Sequence, residues 1–296
     1  MIEENKKNKI AFVGGDERQI YAAMVLSGRG YSVEIFGFDN FSGDIGGCKT
    51  QKSLDEILSE NRIVVLPMPV SRDGESLFCP LSENTVKLDE LFDKAHKNTV
   101  FLGGNPDIKS VEIAGNYGFD VVNYFDREEL LVANAFLTAE SGVAIALSEL
   151  KNSVCDYPVL VIGHGRIGKM LCHLLKAMGA SVYASARKKS DFAWIRAFGY
   201  SPVNTCKICE IVTDCRLIFN TVPNLVLGKE TLGCLPKDCL VIDLASKPGG
   251  VDFEAAKNLG LKVIWALALP GKFKQKSAGK AVAETIISIL EDMEVI

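Results

Sequence analysis

Histidine is scarce in this sequence: three in 296 residues, at His96, His164 and His173. Imidazole acid–base catalysis and most catalytic metal centres draw on that residue. His96 falls in the polar segment 93–98, His173 in an apolar helical pattern, and His164 inside a glycine turn. None follows the last strand-like run, which argues against a dehydrogenase that oxidises alcohols through a histidine proton carrier. Paired CxxC motifs are lacking too. Of nine cysteines only Cys206 and Cys209 have that spacing, and no nearby histidine completes a zinc set, so no metal is expected. The cysteines read as reduced thiols filling apolar space. Positive charge is not in excess: 33 Lys and Arg face 37 Asp and Glu, a net −4. That balance speaks against nucleic acid or a membrane surface as partner. The charged N-terminal stretch is followed by only four apolar residues, Ile10–Val13, too few for a signal peptide. The most apolar windows, Ile63–Val70 and Val263–Leu269, fall short of the ~20 residues of a membrane span. A soluble, cytoplasmic protein is expected.

What is present is a globular composition, 48% hydrophobic and 24% charged, over a length of about two domains. Short β-branched apolar runs alternate with helical patterns in two series. The first is Ile10–Val13, Ser32–Phe36, Ile63–Leu66, Thr99–Leu102 and Asp120–Val122; the second is Val159–Ile162, Ser181–Ala184, Leu217–Phe219, Leu240–Asp243 and Lys262–Trp265. Continuous apolar strands between helices predict parallel sheets covered on both faces, hence two doubly wound α/β domains. The expected division is a substrate domain over 1–132, a linking helix over 133–150, a nucleotide domain over 151–276, and a C-terminal helix over 277–296 that could return to the first domain.

The strongest motif is Gly163-His164-Gly165-Arg166-Ile167-Gly168, with a buried strand before it and a helix stripe after it. Gly163 suits the tight turn, Gly165 lets backbone approach a pyrophosphate, and Gly168 lets helix and strand pack closely. Free N–H groups and the helix dipole then favour phosphate, which makes this a Rossmann dinucleotide-binding domain. Where an NAD site carries a carboxylate, the chain reads Ser185-Ala186-Arg187-Lys188, with no acid before Asp191. A guanidinium and an ammonium suit a 2′-phosphate, so the expected cofactor is NADP. The turn Val13-Gly14-Gly15-Asp16 in the first series lacks the third glycine, and its carboxylates would repel phosphate. Three further turns follow strands: Asn220-Thr221-Val222-Pro223, Asp243-Leu244-Ala245-Ser246-Lys247-Pro248-Gly249-Gly250 and Leu269-Pro270-Gly271-Lys272. Ligands bind at the carboxyl ends of such strands, so these turns are expected to ring the nicotinamide and an interdomain cleft.

Val13-Gly14-Gly15-Asp16-x-Arg18-Gln19, the glycine turn, Asp243-Leu-Ala-Ser246-x-Pro-Gly-Gly250-x-Asp252-Phe253 and Leu269-Pro-Gly271 occur in one order, with Thr138-x-Glu140 on the linking helix. The set resembles the A-subunit family of dipicolinate synthase, the oxidoreductase component found in spore-forming bacteria. The chain departs from that pattern at residues 272–276, where Lys-Phe-Lys-Gln-Lys replaces an apolar stretch with proline. The resemblance implies oxidation of a dihydro- or hydroxytetrahydro-dipicolinate to pyridine-2,6-dicarboxylate during sporulation, with NADP+ taking the hydride. It implies a homo-oligomer that works with a second, flavoprotein-like subunit. In that reading Glu140 and Lys247 are the catalytic candidates, and Arg18, Thr138, Lys247 and Lys272 meet the dicarboxylate substrate. Two other readings stay open: an NADP dehydrogenase of the shikimate type, which also carries an Asn-Thr-x-Pro turn, and an NADP sensor without catalysis.

Overall fold

The computed structural model describes residues 9–296, so the charged stretch before Lys9 lies outside the described residues. The described residues divide into two units, one formed by 9–133 with 274–296, the other by 134–273. The first runs β1 (Lys9–Val13), α1 (Glu17–Gly28), β2 (Ser32–Phe36), β3 (Lys49–Thr50), α2 (Leu54–Glu60), β4 (Ile63–Val65), α3 (Leu88–Asp93), β5 (Val100–Gly103), α4 (Ile108–Asn116) and β6 (Val121–Asn123). Helix α5 (Glu128–Glu149) leads into the second unit. That unit runs β7 (Pro158–Ile162), α6 (Arg166–Ala177), β8 (Ser181–Ala186), α7 (Lys189–Ala197), β9 (Ser201–Asn204), α8 (Cys209–Val212), β10 (Leu217–Asn220), α9 (Lys229–Gly233), β11 (Leu240–Asp243), α10 (Phe253–Asn258), β12 (Lys262–Trp265) and α11 (Leu269–Phe273). Helix α12 (Gln275–Asp292) then completes the first unit.

Both sheets are six-stranded and parallel, with the same order: β3-β2-β1-β4-β5-β6 and β9-β8-β7-β10-β11-β12. In each, the first strand sits mid-sheet and the chain winds outward on one side, then the other. This is the doubly wound arrangement, with its switch point beside the first strand. Strand residues alternate between two buried faces. Ile10 and Phe12 join one apolar cluster and Ala11 and Val13 the opposite one; Val159 and Val161 divide from Leu160 and Ile162 in the same way. Because both faces are covered, these strands read as unbroken apolar runs.

Helix α12 lays Val282, Ala283, Ile286 and Leu290 into the same cluster as Ile20, Ala23 and Leu26 of α1. Helix α5 corrects the reading of the apolar windows. By length and composition it is apolar enough to cross a bilayer, yet half of it is buried inside the protein. Ala139, Val143 and Ala146 are part of the second unit's core, which is why a helix in this place carries so little charge. It also begins five residues earlier than the sequence suggested, because Glu128 and Glu129 complement the helix dipole in its first turn. A second correction concerns residues 269–272, which form a short helix rather than a plain turn. Pro270 falls in its first turn, where no backbone N–H is required.

Candidate active site in the second unit

The loop after β7 is built by its glycines. Gly163 has φ +95, and a side chain there would run into the Thr221 hydroxyl, its Cβ 2.5 Å from Oγ1. Its N–H donates to the Ser185 carbonyl at 3.2 Å. Gly168 is buried, and a Cβ on it would overlap the Gly163 carbonyl, so only glycine lets α6 start this close to β7. Gly165 differs from both. It caps α6 with ordinary negative φ and no side-chain hydrogen bond, and a Cβ on it would meet nothing within 4 Å. No packing inside the protein demands glycine there; in glycine-rich dinucleotide turns the middle glycine is the one that lets backbone approach a pyrophosphate.

A cavity of about 910 Å³ opens on this loop. Gly163, His164 and Gly165 line one side, Arg187 and Lys188 another, and Thr221, Val222 and Pro223 a third. It thus lies at the carboxyl ends of β7, β8 and β10, around the switch point. Arg187 and Lys188 are exposed, directly after the last residue of β8, and Asp191 reaches the same cavity from the first turn of α7. Ser185 is buried and faces inward, its hydroxyl 3.2 Å from that of Thr205. Arg166 is exposed at the first position of α6, and Ile167 packs on the apolar core. His164 is only 9% exposed and neither ring nitrogen has a hydrogen-bond partner within the protein. Burial, helped by the charge of Lys169 and opposed by Asp191, pulls its pKa below the ordinary 6.5.

The next loops are organised by a buried carboxylate that sequence reasoning passed over. Asp243 accepts hydrogen bonds from Asn220 Nδ2 at 2.7 Å, Ala245 N at 3.0 Å and Gly250 N at 2.9 Å. Asn220 is expected at the nicotinamide, but the structure turns it inward. It is fully buried, donates also to the Val222 carbonyl at 3.0 Å, and accepts from Val222 N at 3.1 Å. Asn220 therefore shapes the Thr221–Pro223 turn instead of facing a ligand. Thr221 is tied similarly, its hydroxyl donating to the Ile162 carbonyl at 2.9 Å. Trp265 donates to the Ala245 carbonyl at 3.0 Å and stacks on Phe253. Ser246 and Lys247 remain exposed on the loop held by these contacts.

Residues 9–125 match the family described as the N-terminal domain of the dipicolinate synthase A subunit. Over 290 residues the chain is 29% identical to the dipicolinate synthase A subunit of Bacillus subtilis (strain 168), covering 97% of each. The chain is thus similar to dipicolinate synthase A subunits along nearly its whole length. The crystal structure of the Bacillus halodurans A subunit superposes with a TM-score of 0.87 at 26% identity, covering 96% of this chain and 98% of that one. For the B. subtilis A subunit the TM-score is 0.86 at 28% identity, with 97% and 96% covered. A transhydrogenase from Sinorhizobium meliloti, 13% identical with a TM-score of 0.72 over 96% of this chain and 94% of that one, shares the fold alone.

Against this family background the substrate candidates stand differently from one another. Arg18 is a clamp in the first unit. Its Nε and Nη2 pair with the Asp16 carboxylate at 2.9 and 2.8 Å, and Nη2 also donates to the Met68 carbonyl at 2.6 Å. Its charge is thus compensated before any ligand arrives. The buried Thr138 hydroxyl donates to the Asn134 carbonyl one turn back in α5, at 2.8 Å. Glu140, half-buried on α5, and Lys272 on α11 each engage other groups of the protein. Lys247 is the exposed cation beside the organised Asp243 loop. The wall formed by Thr205, Cys206, Ile208, Cys209 and Thr231 was not legible as part of a site, since nothing in those residue types marks a ligand. A second cavity, of about 720 Å³, opens at the amino ends of β7, β10, β11 and β12, where Arg216 and Lys262 are already ion-paired with Asp238 and Glu149. Among the described residues no cluster of potential ligands for a metal occurs.

Proposed function

We propose that this chain is an NADP-dependent oxidoreductase that converts a dihydro- or hydroxytetrahydro-dipicolinate to dipicolinate. The observation that carries the reading is Gly165: a glycine with no internal reason to be one, at the mouth of a helix, in a cavity rimmed by Arg187 and Lys188. The backbone of 163–168 would hold the pyrophosphate, and the two cations after β8 the 2′-phosphate. Bound NADP+ would supply the hydride acceptor for aromatisation. Lys247 and Lys272 are the cations assigned to the substrate carboxylates, because a buried carboxylate without a partner is costly. Glu140 is assigned the proton transfer that accompanies C–H oxidation. Arg18 acts as a positioning residue, fixing Asp16 against the Met68 carbonyl, and Thr138 is a neighbour of Glu140 on α5 rather than a carboxylate donor. The naming of its relatives as A subunits supports reading the chain as one component of a two-subunit enzyme. The proposal further takes that enzyme to be cytoplasmic and homo-oligomeric, made for sporulation, with a flavoprotein-like B subunit as the partner.

The test is a titration of NADP+ and NAD+ by calorimetry, followed by turnover with the cyclic lysine-pathway precursor, read as NADPH and pyridine-dicarboxylate absorbance. Equal affinity for the two cofactors removes the NADP reading. Binding without turnover favours the second reading, a dinucleotide sensor, to which the burial of Asn220 gives specific support.

A further inference from the structure

The 910 Å³ cavity has a sulfur-bearing wall that the proposed reaction does not use. Cys209 begins α8 and lines the cavity beside Cys206; its thiol lies 3.5 Å from the hydroxyl of Thr231, another lining residue, on α9. Cys234 caps the C-terminus of α9, one turn after Thr231, with its thiol 3.4 Å from the Glu230 carbonyl. Both cysteines are exposed. The geometry points to Cys209 and Cys234 as a dithiol that is oxidised to a disulfide across the cavity wall, weakening dinucleotide binding.

Cys209 reaches α9 through the Thr231 hydroxyl, and Cys234 stands three residues further on at the end of that same helix. Desolvation first, and then the neighbouring Cys209, raises the pKa of the Cys234 thiol. The remaining cysteines near this surface are placed less well. Cys206 precedes Cys209 by three residues on an outward 3₁₀ turn, while Cys215 and Cys239 are buried in the apolar core with thiols pushed up to about 12. A hydroperoxide is the oxidant. A thiolate attacks its terminal oxygen, the O–O bond breaks, and the resulting sulfenic acid condenses with the second thiol. One S–S bond forms, and with hydrogen peroxide both oxygens leave as water, carrying the two electrons and two protons. The link would draw Cys209 off Thr231 and bind α8 to the end of α9, so the two helices could no longer part around a ligand.

The effect on binding rests on the dinucleotide reading above; formation of the link does not. Reduced protein and protein treated with dilute hydrogen peroxide are compared by thiol titration, peptide mapping and NADP+ calorimetry. The expected outcome is two thiols lost from the nine, one Cys209–Cys234 peptide pair, and affinity roughly tenfold weaker, restored by dithiothreitol. Cys209→Ser and Cys234→Ser each abolish the link and the loss of affinity. No link, a Cys206–Cys209 link instead, or a linked protein that binds NADP+ as tightly as the reduced one overturns the inference. Reduced protein that does not bind NADP+ overturns the proposed cofactor, and peptide mapping then still decides whether the pair oxidises.

Discussion

The two units share a strand order, and each places a glycine-containing turn between its first strand and first helix, yet the turns close in opposite ways. In the first, Gly14 and Gly15 both have positive φ, at +71 and +114, and both are hemmed in by side chains, Gly14 by Cys79 and Gly15 by Gln19. Asp16 caps α1 with its own carboxylate, accepting from Arg18 N at 3.1 Å, and Arg18 neutralises that carboxylate. In the second, Gly165 caps α6 without a side chain and faces open space. A helix start can be satisfied from within the chain or left for an external anion, and identical topology permits either. Fold alone therefore does not say where a nucleotide binds; the capping residue does.

The largest expected effect that would break this contrast is at Gly165. Gly165→Val should leave the circular dichroism and melting temperature near those of the parent while abolishing calorimetric NADP+ binding; retained binding would return the first turn to candidacy. The mirror change works on the other quantity. Gly15→Ala forces a side chain into the left-handed region and against Gln19, so it should cost about 1–3 kcal/mol of stability in denaturant titration. Next comes Arg187→Ala, which should weaken NADP+ by about 1.5–3 kcal/mol, the range of a charge-assisted hydrogen bond, and leave NAD+ unchanged. Asp16→Ala removes a cap and should lower stability by ~1 kcal/mol without altering NADP+ affinity.

The smallest effect expected is a pH dependence confined to the second turn. His164 is held neutral by burial, its folded pKa lying below the ordinary value of 6.5. A depressed pKa stabilises the fold fully above that value and is lost as pH falls below it toward the folded pKa, because the unfolded chain binds the proton more tightly. Parent protein should thus lose more thermal stability than His164→Leu between pH 7 and the acid side of 6.5. Parallel curves would show that the imidazole is not the group responsible.

Ten of the twelve strands among the described residues were legible as apolar runs, because the sheets are buried on both faces. The two missed, β3 and β9, are edge strands: Lys49–Thr50 is short and exposed, and Ser201–Asn204 contains Pro202 and has a single buried residue, Val203. Edge strands are kept short and polar to discourage further pairing, which removes the signal by which strands are recognised. The glycine turn was legible because its spacing is local. The inward turn of Asn220 was not, since the partner that buries it, Asp243, stands 23 residues away on the next strand. The same reason hid the cavity wall at Cys209 and Thr231, which only the return of the chain through β10 brings together.

Helix α12 has a consequence for the birth of the protein. The α1 face bearing Ile20, Ala23 and Leu26 is sealed by Val282, Ala283 and Ile286, which the ribosome makes only after the whole of the second unit. The unit begun first is therefore finished last. Residues 134–273 have all their own strands in hand while the earlier sheet still waits with apolar surface uncovered, a state open to chaperones and to wrong partners. The order in which the two units are begun and the order in which each has all its residues available run opposite to each other in this chain.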